Sequence, residues 1–220
     1  MKPQPKAGGD FNRIAPIYDA LAFAVFGRGL QRAQAVFLNK ISVDASVLIV
    51  GGGTGWLLEE VLRTCQPKRV LYLEASAQML ARASRRMVRH SVLGSVEFRV
   101  GTETSLKPAE RFDVILTPFV LDLFTEKTLR ARFIPQVLNT LNPGGLWLVT
   151  DFVQPRRSWQ KLLLWIMIRF FRLTAGIETQ TLANWQQLLA EAGLVRTEQK
   201  TQVGDMVLAE VWRVQSHKTV

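Results

Sequence analysis

The chain has 220 residues, 48% hydrophobic and 21% charged, a balance that excludes global disorder and collagen-like or coiled-coil architectures and makes a single domain the expectation. Lysine and arginine number 28 against 18 acidic residues, a net charge of +10, which favours an anionic partner, either nucleic acid or an anionic lipid surface. A lone cysteine, Cys65, excludes an intrachain disulfide and a cysteine-rich metal site, and with only His90 and His217 as histidines no metal is expected, in a reducing, cytoplasmic setting.

Residues 1–10 carry two prolines, two glycines and no apolar period, and read as a mobile tail. Residues 11–40 read as a helical cover broken around Gly27 and Gly29. The apolar run at 20–26 lacks a small-residue cleavage site and reads as helix. No stretch reaches the roughly 20 apolar residues that span a bilayer, the run at 162–168 being bounded by Arg169 and Arg172.

Beyond residue 45, nearly continuous apolar runs at 47–50, 70–73, 96–100, 113–116 and 146–150 alternate with helical segments at about 56–65, 76–90 and 126–141. Such runs suit strands buried on both faces, and the alternation predicts a parallel sheet with right-handed crossovers. Asn142-Pro143-Gly144-Gly145 is expected to stop the third of these helices. Helices are then expected at 158–173 and 182–192, followed by strands at 195–202 and 206–214 joined through Val203-Gly204-Asp205 as an antiparallel pair on the sheet edge. The predicted fold is α/β, a Rossmann-like doubly wound, mostly parallel sheet with an antiparallel C-terminal strand pair. It forms one domain over 11–220 with its core at 45–152.

Gly51-Gly52-Gly53-Thr54-Gly55 follows the first strand and opens the helix at Trp56. A glycine loop there turns tightly and lets a ligand approach the backbone and the helix N-terminal amides. Glu74 closes the second strand, nineteen residues after Gly55, where a doubly wound fold puts an acid that accepts from ribose hydroxyls. A dinucleotide fingerprint read from Gly51 meets Trp56 where its third glycine belongs, which argues against a nicotinamide cofactor.

The stretch Val47-Leu48-Ile49-Val50-Gly51-Gly52-Gly53-Thr54-Gly55 resembles motif I of class I S-adenosylmethionine-dependent methyltransferases. LEASAQML at 73–80 resembles their ribose motif, VEFRVGTETSL at 96–106 their adenine segment, FDVILTPFVLDLF at 112–124 their active-site strand, and LNPGGLWLVTDF at 141–152 the turn and strand that follow. The resemblance implies S-adenosylmethionine as cofactor, held by Gly51, Gly52, Gly53, Thr54 and Gly55, with Glu74, Ala75 and Met79 at the ribose. It also implies Thr102 or Glu103 at the adenine, and Thr117 and Pro118 beside the transferring methyl. Ile49 departs from the family, many members of which carry an acid there, and Thr102 departs likewise in the adenine segment.

FNRIAPIYDALAFAVFGRGL at 11–30 is similar, on Phe11, Ala15, Tyr18 and Asp19, to the N-terminal segment of ubiquinone/menaquinone biosynthesis C-methyltransferases. The similarity implies a cover over the cofactor, with Tyr18 either on the cofactor or anchoring its helix. Methyl transfer to a small, hydrophobic, quinone-like or lipid-like acceptor is the function expected. The alternatives are a nucleic-acid methyltransferase, which the net charge suggests, and a non-catalytic cofactor-binding module at a membrane surface. Asp122 is the only acid between 117 and 125, a candidate catalytic base or a helix cap. Residues 156–172 hold no acid. At helical spacing Arg157, Lys161, Arg169 and Arg172 gather opposite Trp159, Leu163, Ile166, Phe170 and Leu173, as in a helix lying peripherally on an anionic membrane, a lid, or a core or dimer helix.

Overall fold

The computed structural model describes residues 12, 23, 25–90, 95–175, 177, 179 and 181–215. The expected tail and Tyr18 lie outside them. Strands β1 (Ser46–Val50), β2 (Arg69–Glu74), β3 (Val96–Val100), β4 (Phe112–Pro118) and β5 (Leu141–Phe152) are parallel, and β6 (Leu194–Gln202) and β7 (Val207–Val214) complete the sheet antiparallel. The order is β3-β2-β1-β4-β5-β7-β6, so the chain reverses its winding between β1 and β4. In an open α/β sheet that switch point, at the carboxyl ends of the strands, is where a ligand crevice opens.

The pleat explains why the central runs of β1, β2 and β4 are apolar, whereas the edge strand β3 keeps Glu97 and Arg99 and has no buried residue. Leu48, Val50, Leu71, Leu73 and Ile115 face one layer, while Val47, Ile49, Val70, Tyr72 and Val114 face the other. The second layer is built by α2 (Trp56–Cys65) and α3 (Ala77–Arg89), which bury Leu57, Leu58, Val61, Ala83 and Met87. An earlier helix, α1 (Gly29–Ala35), follows the break expected at Gly27, whose φ is +57. The first layer holds α4, assembled from Glu126–Thr128, a π turn at Leu129–Phe133 and Ile134–Leu138, together with α6 (Trp185–Glu191). Helix α5 (Ser158–Thr174) packs through Leu164 beside Ala33, Phe152 and Val207.

Three expectations are corrected. The helix predicted over 126–141 ends at Leu138, where the Thr140 hydroxyl donates to the Val137 carbonyl at 2.7 Å. Its π turn lies just before Pro135, which lacks the N–H that a regular turn uses. Asn142 to Gly145 belong to β5 as an irregular opening rather than to a helix stop, because Leu141 already pairs with Phe112 and the register shifts before Val114 meets Leu146. The second C-terminal helix begins at Trp185 instead of 182, since the Asn184 side chain caps it by accepting from the Gln187 amide.

Candidate functional site

The glycine loop is tied to the end of β2 by three hydrogen bonds. Gly51 N–H donates to the Leu73 carbonyl at 2.8 Å, Gly53 N–H to Glu74 Oε2 at 3.0 Å, and Tyr72 Oη to the Gly53 carbonyl at 2.8 Å. Gly51 has φ +70, and a Cβ on it would stand 2.4 Å from Val120 Cγ2, so the close approach of loop and β4 end requires glycine there. Tyr72 was not among the residues singled out in the sequence. It is the register partner of Ile49, and its hydroxyl supplies a polar anchor for the loop.

Glu74 is 7% exposed. Burial pushes its carboxyl up, while the amides of Ser76, Gly53 and Ala75 pull it down, and the net direction is upward. Its Oε1 accepts from Ser76 N–H at 2.9 Å, so both oxygens are held by backbone amides while the carboxylate keeps acceptor capacity for further donors. That is the chemistry needed to take the two hydroxyls of a ribose.

Glu74 opens into a cavity whose lining also includes Gly51, Gly53, Ala75, Met79, Thr102, Glu103 and Pro118. The walls between these residues are apolar, from Leu73, Val120, Phe124 and Phe133, suited to a flat heteroaromatic ring. Glu103 is buried and its Oε1 accepts from Arg132 Nε at 2.7 Å, a partner from α4 that nothing in the local sequence announces. Thr102 caps the short turn Glu103–Ser105 by accepting from Thr104 N–H.

A second cavity lies across the loop, lined by Phe23, Gly27, Leu30, Gln31 and Gln34 of the N-terminal cover, by Gly51–Thr54 and Trp56, and by Pro118 and Phe119. Gly51, Gly53, Pro118 and Phe119 line both cavities and form the wall between them. Gly52 and Thr54 thus belong to the second cavity alone. Gly55 lines neither and instead meets Ala83 of α3. Thr117 also lines neither: it is fully buried, and its hydroxyl accepts from Trp147 Nε1 at 3.0 Å in the core.

Asp122 is placed away from both linings, against Asp151. Asp151 is fully buried at the end of β5; its Oδ2 accepts from Val120 N–H at 3.0 Å and Leu121 N–H at 2.7 Å, and its Oδ1 from Phe152 N–H at 2.8 Å. Burial pushes Asp122 up to about 7 and raises Asp151 well above the usual range, with the neighbouring Asp122 charge as the second cause. Two carboxyls facing each other in a buried site do not both ionise readily, so the pair holds a shared proton, with three amides facing Asp151 and Asp122 Oδ1 lacking a partner of its own. The pair fixes the segment that carries Phe119, which has φ +54 and donates its N–H to the Thr150 carbonyl at 2.7 Å. Asp151 is therefore a positioning residue for the dividing wall, and the sequence reading missed it.

Residues 47–145 match the family described as a methyltransferase domain. The ubiquinone/menaquinone biosynthesis C-methyltransferase UbiE of Francisella philomiragia is 26% identical over 156 residues, 69% of this chain and 61% of that protein. The demethylmenaquinone methyltransferase of Tropheryma whipplei is 30% identical over 149 residues, 67% of this chain and 59% of that protein. The chain thus spans about three fifths of the length of these relatives. Among solved structures, the N-methyltransferase NodS from Bradyrhizobium japonicum, in complex with S-adenosyl-L-homocysteine, superposes with a TM-score of 0.65 at 19% identity over 87% of this chain and 88% of that one, a likeness of fold.

Proposed function

We propose, for a chain that carries a class I S-adenosylmethionine-dependent methyltransferase domain similar to the ubiquinone/menaquinone C-methyltransferases, that it methylates a small, hydrophobic acceptor of the quinone or lipid kind. The observation that carries this reading is the second cavity. Among its described lining residues none is charged, and its polar side chains are Gln31, Gln34 and Thr54. A nucleic-acid substrate needs cations for its phosphates at the same mouth. An apolar ring or chain gains about 25 cal/mol per Å2 buried, with the two glutamines available to a carbonyl or hydroxyl.

The first cavity fits S-adenosylmethionine: Glu74 for the ribose, the glycine loop where a Cβ would intrude, and apolar walls for the adenine. When bound, the cofactor supplies an electrophilic methyl on a sulfonium. The residues of this chain align and desolvate. Glu74 and the Gly51–Gly53 backbone hold the donor side, Phe23, Leu30 and Phe119 the acceptor side, and Pro118 and Phe119 set the partition across which an in-line displacement runs. No carboxylate or imidazole stands among the described residues lining the second cavity, so Asp122 is not placed as a base in this reading.

Incubating the protein with methyl-labelled S-adenosylmethionine and bacterial lysate should put label into the organic-solvent extract, and nuclease treatment should not remove it. Label that follows RNA and disappears steeply as salt rises would transfer the assignment to nucleic acid.

A further inference from the structure

We propose that the outer face of α5 docks this protein on an anionic phospholipid surface. Helix α5 is apolar on two sides. Its inner face is spent on the protein, with Gln160 and Leu164 buried and Leu163 and Met167 packed in the cluster that includes Phe152 and Val207. Its outer face carries Trp159, Leu162, Ile166 and Leu173, all more than half exposed and Leu173 85% exposed. At about 100° per residue these four fall in a strip about 60° wide. Lys161, Trp165, Arg169 and Arg172 form the adjoining strip, in which the Arg169 guanidinium sits 4.8 Å over the Trp165 ring.

Charge selects the occupant. From Phe152 to Ile177 there is no acidic residue and there are five cations, half of the +10 excess of the whole chain. A second copy of this chain would set these strips against each other and bring like charges together, whereas an anionic interface accepts both strips at once. The apolar strip enters the acyl boundary, tryptophan sits at headgroup depth and the arginines meet phosphate. At the C-terminal end of the helix, Arg169, Arg172, Leu173 and Ile177 line an open depression that joins two guanidinium groups to an apolar wall, a complement to a phosphate above acyl chains. Surface docking is all the helix offers, since no helix among the described residues is long and apolar enough to cross a membrane.

The proposal deepens the hydrophobic-acceptor reading, because an acceptor dissolved in that surface is met there, and it is tested without any acceptor. Vesicles of phosphatidylcholine, with and without phosphatidylglycerol, are sedimented with the full chain. Binding to the anionic vesicles should be at least about tenfold tighter and should fall as salt rises. The triple variant Leu162→Gln, Ile166→Gln, Leu173→Gln should lose at least tenfold in vesicle binding while its melting temperature and affinity for S-adenosylmethionine stay those of the wild type. Equal binding to both vesicle types, or a triple variant that binds as well as wild type, overturns the proposal. So does a lipid-free dimer that the same substitutions dissolve, which would give the strip to a second copy. A failed acceptor experiment leaves all of these readouts unchanged.

Discussion

Replacing Asp151 by alanine should leave Val120, Leu121 and Phe152 with buried amides that have no acceptor. Each unsatisfied donor costs about 1–3 kcal/mol, against a total stability of about 5–15 kcal/mol for a domain. Urea denaturation should show a loss of several kcal/mol or no folded protein at all. Asp151→Asn, which keeps one acceptor oxygen, should fall between the two and show a raised KM for the acceptor, because Phe119 follows these amides. A loss under about 1 kcal/mol for Asp151→Ala would contradict the positioning role.

The same pair makes a pH prediction with a definite sign. Both carboxyls are raised above their ordinary value of 3.8, Asp122 to about 7. The native state therefore holds more protons than the unfolded chain from about pH 4 to at least pH 7, and stability falls as pH rises through that range. Glu74 and Glu210, also raised, add in the same direction, while Glu59 and Glu110, lowered, oppose it. Asp122→Asn isolates the pair: its urea midpoint should drop less between pH 5 and pH 8 than that of the wild type.

Gly55→Ala should be nearly as damaging. Gly55 has φ +88, and a Cβ there would stand 2.7 Å from Ala83 Cβ and 2.8 Å from Ala83 Cα, a backbone atom of α3 that cannot swing away. The left-handed backbone costs a non-glycine residue about 1–2 kcal/mol, and forcing α2 and α3 apart adds about 1–3 kcal/mol. Gly53→Ala provides the contrast, since Gly53 has φ +63 but open space where its Cβ would lie; only the backbone cost applies. If Gly55→Ala were no less stable than Gly53→Ala in urea, the close helix contact would not matter.

The core strands were readable because burial on both faces removes polar residues from them: Val47–Val50 could hardly be anything else. Glu74 was readable because an acid ending an apolar strand beside a glycine loop has few structural reasons to be there. Asp151 offers the same signal at the end of β5, but its role depends on the amides of a segment thirty residues away. Tyr72 is likewise invisible until the register sets it beside Ile49. Asn142 to Gly145 misled because the composition of a helix stop is also that of an irregular strand opening. In α5, a helix apolar on nearly every side, periodicity grouped Leu163 and Phe170 with Trp159 and Ile166. Packing against the cover and β7 covers Leu163 in part, packing beside Ala175 and Ile177 covers Phe170 in part, and Leu162 is left outside with Trp159 and Ile166.

Calorimetric titration of S-adenosylmethionine into the wild type, Glu74→Gln and Glu74→Ala tests the cavity assignment most directly. The wild type should bind it in preference to NADH. Glu74→Ala should weaken binding by roughly 1.5–3 kcal/mol through the loss of charge-assisted hydrogen bonds to the ribose, with Glu74→Gln between the two because one oxygen acceptor survives. Unchanged affinity in a folded Glu74→Ala protein, or NADH bound more tightly than S-adenosylmethionine, would contradict it.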